Sequence, residues 1–250
     1  MLTAWEQSSD QIVTFRCEFE RWEYNAAFGP GKDIPLNKDK GEISFNKPDK
    51  GSFQITEIKT WQADPIPPGE QPPAQIKGNW IKQPDAIGEH WVCDGTNIYE
   101  YRQQQKQLVQ RELPANMRGK AIAEGPLPFL FGAKAASLKQ KYSMKLDQGA
   151  ATQPNDVFIV ALPLTQEQAA NFRAVEVILD RQQLLPKAMN IHLPDGSRHM
   201  YMFNIKTASV NGPFDKIRAL FQSPSVPWGW QRVKEDMPVQ QAAQPMQQPR

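Results

Sequence analysis

Hydrophobic and polar residues alternate along several short stretches of the chain, and this pattern predicts strands. The first begins near Val13, where apolar residues such as Phe15 and Phe19 alternate with charged residues up to Glu20. A period of two with opposite chemistries predicts a strand with one buried and one solvated face. The same reasoning predicts further strands at 42–46, 53–61, 89–93, 97–102, 106–111, 141–146, 156–162, 173–179, 187–193 and 198–207.

Tight turns connect several of these predicted strands. Asp94-Gly95 and Asp195-Gly196 are dipeptides typical of hairpin turns. Short meanders of this kind suit an antiparallel sheet with one solvated face. We therefore predict a mainly β fold with about eleven antiparallel strands.

The pattern changes between residues 112 and 141. Short helices are predicted at 114–124 and 133–140, and the segment between them is apolar but interrupted by prolines and glycines. We predict an exposed proline-rich loop at 63–73. A single domain is expected over residues 1–236, followed by a disordered Gln/Pro-rich tail at 237–250.

The composition is that of a folded protein without a strong charge bias. The 250 residues include 29 basic and 27 acidic side chains, so the net charge of +2 gives no electrostatic case for nucleic-acid binding. The longest apolar run, from Phe158 to Leu164, is too short for a membrane span. For Cys17 and Cys93, two buried apolar side chains are favoured over a disulfide.

No catalytic motif is present in the sequence. There is no nucleophile elbow, phosphate-binding glycine loop, H-E-x-x-H or C-x-x-C. A two-residue turn at Asp195-Gly196 would place His192 opposite His199, but a zinc site needs a third ligand. We predict a protein that is not an enzyme and that has no cofactor or metal.

The order of these elements resembles the LolA-type lipoprotein carriers and the wider superfamily of outer-membrane lipoprotein-sorting proteins. Four segments carry the resemblance over roughly residues 2–233. They are the amphipathic strand at 15–19, the strand at 41–48 that ends in Lys47-Pro48, the Asp-Gly hairpin with its aromatic strand at 93–101, and the proline-phenylalanine segment at 127–131.

The resemblance implies an open, incomplete β-barrel whose apolar cavity is closed by a short helical lid. Ligand-contacting residues would then be Phe15, Phe19, Phe45, Phe53, Tyr99, Tyr101, Leu127, Phe129, Leu130, Phe131, Tyr142 and Met144. Lys47 would lie at the mouth, where the carriers use an arginine to hold the lid shut. Lysine lacks the planar fork of arginine, so the latch departs from the family pattern, as does the insertion at 63–73.

Two functions remain open at this point. The first is a non-catalytic carrier or sensor that binds a lipid or lipoprotein acyl chain in the barrel. The alternative is an interaction module with a filled barrel and an envelope protein as its partner. The same aromatic residues suit a cavity wall and an ordinary core. The resemblance further implies an exported, periplasmic protein, at most peripheral to the membrane, whose signal peptide has been removed.

Overall fold

The computed structural model describes residues 1–66, 77–84, 86, 88–115, 118, 135–146, 153–213 and 217–236. Fourteen strands lie in these ranges: β1 Thr14–Tyr24, β2 Asn37–Asn46, β3 Lys50–Ala63, β4 Gly78–Lys82, β5 His90–Asp94, β6 Asn97–Arg102, β7 Gln107–Glu112, β8 Tyr142–Leu146, β9 Asp156–Pro163, β10 Ala174–Asp180, β11 Pro186–His192, β12 Arg198–Phe203, β13 Ser209–Val210 and β14 Gln231–Glu235. The helices are α1 Leu2–Asp10, α2 Ala135–Lys141, α3 Gln166–Asn171 and a 3-10 helix at Arg218–Phe221.

All these strands belong to one sheet that does not close on itself. The strand order is β14-β7-β6-β5-β3-β2-β1-β12-β11-β10-β9-β8, while β13 pairs with β1 and β4 with β3. Neighbouring strands run antiparallel except β14, which adds to β7 in parallel. The predicted open antiparallel sheet is therefore confirmed, with more strands than the alternation alone revealed.

One face of the sheet, here called the inner face, carries the main hydrophobic core. Phe15, Phe19 and Phe53 lie on the inner face. The same core continues onto β10 and β11 through Val177 and Met189, which pair with each other and therefore share a face. Three short helical segments cover this layer, and each brings one large buried side chain. These are Trp5 of α1, Leu138 of α2 and Phe172 at the end of α3.

Aromatic rings of neighbouring strands stack on one another across the inner face. Phe15 lies 5.4 Å from Phe45, and Phe19 lies 5.1 Å from Phe53, between ring centroids. Phe19 is opposite Gly41, and a Cβ at Gly41 would lie 2.5 Å from the Phe19 ring. Glycine at this position therefore lets the ring lie flat on the strand.

The C-terminal segment packs against the opposite face, here called the outer face. The 3-10 helix contacts β3 and β5, and its Phe221 is buried. The chain then adds β14 to the edge of β7. Two ion pairs fix β14, because Glu235 accepts hydrogen bonds from Arg102 at 2.6 Å and from Arg111 at 2.7 Å.

Several sequence predictions differ from the structure in their bounds. β2 begins at Asn37, before the predicted start at 42. The sequence pattern missed its first half because that half carries charged residues and lacks alternation. The predicted loop at 63–73 is flanked by the β3–β4 hairpin, in which Ala63 pairs with Gly78. The helix predicted at 133–140 is found as α2, whereas most of the one at 114–124 and the whole tail at 237–250 lie outside the described residues.

Candidate functional site

The candidate site is the layer between the inner face and the helices that cover it. Of the residues predicted to contact ligand, Phe15, Phe19, Phe45, Phe53 and Tyr142 are buried together in this layer. Met144, on the edge strand β8, is only partly buried and packs against the same cluster. The predicted lid residues Leu127, Phe129, Leu130 and Phe131 lie outside the described residues.

Tyr99 and Tyr101 are placed elsewhere, in a second cluster on the outer face. Trp91 stacks on Phe53 of the inner face, and the next residue, Val92, pairs with Tyr99. Successive side chains of a strand point to opposite faces, so Tyr99 and Tyr101 lie on the outer face. The structure therefore does not bring these two tyrosines to the site of the five buried aromatics.

The sequence patterns did not identify several residues that form the site. Trp5 and Leu138 are buried contributions of α1 and α2, and Trp91 and Tyr201 are partly buried on the sheet. Trp91 and Cys93 alternate with Val92, which is itself buried, so both faces of β5 are apolar. The helical spacing of Leu2 and Trp5 predicts that the two share one face of a helix at 1–9, and Trp5 is buried on that face of α1.

Lys47 links the β2–β3 turn to the end of α1. Its amine donates a hydrogen bond of 2.6 Å to the carbonyl of Ser9 and lies 4.0 Å from the Asp10 carboxylate. A cation at this position binds a terminal helix carbonyl and interacts favourably with the helix dipole. Burial lowers the pKa of Lys47. The contact thus holds the end of a helix that covers the inner face.

The inner face ends in a charged cluster centred on Arg21. Its guanidinium donates to Asp39 Oδ2 from Nε at 3.0 Å and from Nη2 at 2.9 Å. It also lies 2.9 Å from Glu89 and 3.1 Å from Glu23. One guanidinium therefore serves three carboxylates. The other oxygen of Asp39, Oδ1, is buried without a hydrogen-bond partner among the described residues.

Burial changes the proton affinity of the groups in this cluster. Burial raises the pKa of Asp39 to about 6, and this outweighs the opposing effect of Arg21. Burial likewise raises the pKa of Tyr201 to about 12 and lowers the pKa of His199. Compared with exposure to water, the cluster therefore favours the neutral forms of Asp39 and His199 over their charged forms.

The two histidines of the β11–β12 hairpin do not face each other, which corrects the sequence prediction. Ile191 pairs with His199 and His192 pairs with Arg198, because the turn is longer than two residues. His199 lies 3.7 Å from Glu23 on the inner face, and His192 lies 3.2 Å from Glu176 on the outer face.

The part of the chain that the structure describes contains no group of three or more His, Cys, Asp or Glu side chains placed to hold a metal ion. None of its helices has the length and apolar character that a membrane span requires.

Comparison with known proteins finds likeness in structure only. No protein-family model matches the chain, and no curated protein matches it in sequence. An uncharacterized conserved protein from Thermus thermophilus is similar at 8% identity and a TM-score of 0.47, with 94% of this chain and 97% of that chain covered.

Two other solved structures are similar over most of this chain. A LolA superfamily protein from Nitrosomonas europaea is 9% identical with a TM-score of 0.37, and 89% of this chain and 97% of that chain are covered. The MucA/MucB complex of Pseudomonas aeruginosa is matched at 12% identity and a TM-score of 0.40, with 90% of this chain and 62% of that chain covered. A protein of the LolA superfamily is thus among the solved structures that this chain is similar to.

Proposed function

We propose that this protein is a non-catalytic carrier or sensor that binds the apolar part of a ligand against the inner face of its sheet. The ligand class is a lipid or a lipoprotein acyl chain, and the location is the periplasm or cell envelope. The observation that supports this is a continuous apolar layer on an open sheet, covered by short helices. Phe15, Phe53 and Val177 on well-separated strands all belong to it.

The rim of this layer is where a ligand would enter. Met144, Trp91 and Tyr201 pack against the core but are only partly buried. Met144 is on β8, which has a strand neighbour on one side only in the described sheet. We propose that Leu127, Phe129, Leu130 and Phe131, the predicted lid residues, contact the ligand as well.

Burial of apolar surface would drive binding. Each buried methylene contributes about 0.8 kcal/mol, so a C16 chain offers roughly 10 kcal/mol before the costs of ordering. Opening the helical cover opposes this gain. The burial of Trp5 and Leu138 and the Lys47 contact to Ser9 are the interactions that hold the cover in place.

A pair of variants on one strand tests the proposal. Met144→Glu places a carboxylate on the inner face of the sheet. Lys145→Glu places a carboxylate on the outer face, at the next residue of the same strand, which is exposed. Native mass spectrometry of freshly purified protein, followed by titration with a fluorescent fatty acid, measures binding. We expect Met144→Glu to weaken binding at least about tenfold, because a carboxylate is poorly solvated in an apolar wall, and Lys145→Glu to have little effect.

The lid is tested with Phe129→Glu and Leu130→Glu, which should also lower affinity. Equal binding by all four variants would place the fatty acid away from the inner face. A wild-type protein that carries no lipid and binds no fatty acid would contradict the carrier function.

A second candidate is an envelope interaction module, which the aromatic packing favours. The rings on the inner face contact one another at centroid distances of 5.1 to 6.1 Å, as in a filled core. Trp228 is fully exposed on the C-terminal segment, beside Gly229 in a left-handed conformation (φ 77°). If this function is correct, we expect the protein to bind a protein partner and to bind no lipid.

A further inference from the structure

The outer face is apolar across four neighbouring strands. Phe158 of β9 pairs with Ile178 of β10, Ile178 with Ala188 of β11, and Ala188 with Met202 of β12. All four side chains are partly exposed. An antiparallel sheet normally presents polar residues on its solvated face. Contiguous exposed apolar side chains of this kind mark interaction sites.

The adjoining strands of the same face provide an internal contrast. On β1 and β2, a stretch of the outward positions is charged, namely Arg16, Glu18, Glu20, Lys40 and Glu42. The change from charged to apolar side chains occurs at β12, where Met202 pairs with Glu20, while Trp22 pairs with Met200 and lies under Lys38. The apolar row of β9 to β12 therefore ends beside a charged stretch of β1 and β2.

A hollow of about 230 Å³ lies within the apolar row, and we call it the apolar hollow. Ala188 is its smallest lining residue, and Phe158, Ile178 and Met200 supply most of its apolar wall. Glu176 and Asn190 form one polar edge, where the Asn190 amide donates a hydrogen bond to Glu176. The volume suits one large apolar side chain. Methionines suit such a surface because their flexible thioethers adapt to different partners.

A second hollow of about 550 Å³, here called the acidic hollow, lies beside it, because its Met202 pairs with Ala188 of the apolar hollow. Glu18, Glu20 and Glu42 line it with a single cation, Lys40. Lys40 is opposite Glu20 in the β1–β2 pairing, and Arg16 lies 2.7 Å from Glu42. Three carboxylates are thus balanced by two cations, Lys40 and Arg16, so the hollow retains negative charge.

We propose that these two adjoining hollows dock a basic peptide segment of a partner protein. One apolar side chain of the segment enters the apolar hollow beside Ala188, and a lysine or arginine reaches Glu18 and Glu20. Apolar burial supplies affinity and the acidic rim supplies charge complementarity and register. This surface lies on the face opposite the proposed ligand layer, so one protein could carry out both roles.

Charge argues against other occupants of this surface. Residues 237–250 contain one basic residue, Arg250, and thus do not match the acidic hollow. A second copy that presented the same face would bring carboxylates against carboxylates. Anionic lipid headgroups would be repelled in the same way.

The test uses the full chain labelled with ¹³C at the methionine methyl groups. A short synthetic peptide of alternating lysine and leucine is titrated, and one of alternating glutamate and leucine is the control probe. We expect the basic peptide alone to shift the signals of Met200 and Met202. Met144 is the internal control, because it packs against the inner-face core and does not line the apolar hollow. Signals are assigned with Met200→Leu and Met202→Leu.

Variants separate the two hollows. Ala188→Phe fills the apolar hollow, and Glu18→Lys combined with Glu20→Lys reverses the charge of the other. We expect each to weaken peptide binding about tenfold. Asp64→Lys is the matched control, because it makes the same kind of charge change at an exposed position just after β3.

Three outcomes would overturn the proposal. The first is equal binding of both peptides, and the second is loss of binding in Asp64→Lys as large as in the charge-reversed variant. The third is a shift of Met144 without Met200 and Met202, which would place the peptide in the inner layer. Failure here leaves fatty-acid binding, and hence the proposed function, unaffected.

Discussion

Replacement of Asp39 by asparagine should change how stability depends on pH. Asp39 is nearly isosteric with asparagine, and its side chain is 1% exposed. Burial raises its pKa above the ordinary value of 3.8, to about 6. The titratable groups that face it from the neighbouring elements are Arg21 and Glu23 of β1, Glu89 before β5, and His199 and Tyr201 of β12.

The magnitude follows from linkage between protonation and folding. The folded state binds the Asp39 proton more tightly than the unfolded state, so this group stabilises the fold below pH 3.8 and that contribution is lost as pH rises through about 6. Each pH unit between the two values corresponds to about 1.4 kcal/mol, so the loss amounts to about 3 kcal/mol. Asparagine does not ionise and should not show it.

The assay is urea unfolding of wild type and Asp39→Asn from pH 4.5 to 8. We expect the difference in unfolding free energy to shift in favour of Asp39→Asn by about 2 kcal/mol over this range, because roughly 1 kcal/mol of the total is already lost at pH 4.5, and to level off above the folded pKa of about 6. Asp64→Asn, at an exposed position, should follow wild type. A shift in favour of wild type as pH rises would refute the reasoning, because Arg21 would then stabilise the ionised carboxylate more than burial opposes it.

Two further predictions concern contacts that hold peripheral elements. Lys47→Met removes the hydrogen bond to Ser9, so it should cost about 1 kcal/mol and speed amide hydrogen exchange in α1; unchanged exchange there would show that Trp5 alone holds the helix. Glu235→Gln removes the ion pairs to Arg102 and Arg111, so amides of β14 should exchange faster while those of β1 keep their rates; equal protection of β14 would count against this role for the ion pairs.

Period-two patterns predicted the strands well where one face is buried and the other solvated. The alternation from Phe15 onward marks β1, and the prediction at 97–102 coincides with β6. β13 has only two residues, and Val233 is the one apolar residue in β14, so neither strand shows a clear period. Pairing of such short strands depends on neighbours that are distant in sequence, so local pattern could not reveal it.

The same patterns could not assign a strand to one face of the sheet. They state which residues of a strand share a face, but not how that face is oriented relative to another strand. Tyr99 and Tyr101 share a face, as expected, yet it is the face opposite Phe53. Phe15 and Phe45 were placed correctly because β1 and β2 pair directly, with these two residues opposite each other.

The position of β1 in the sheet has a consequence for the rate of folding. β1 is near the start of the chain but pairs with β12, and Val13 is bonded to Asn211, 198 residues away in sequence. The strands from β1 to β7 form one group of mostly local pairings, and those from β8 to β12 form another. Joining them requires closure of a long loop, which raises contact order and slows folding. We therefore expect β1 to wait, with an unpaired edge, until the second group has been synthesised.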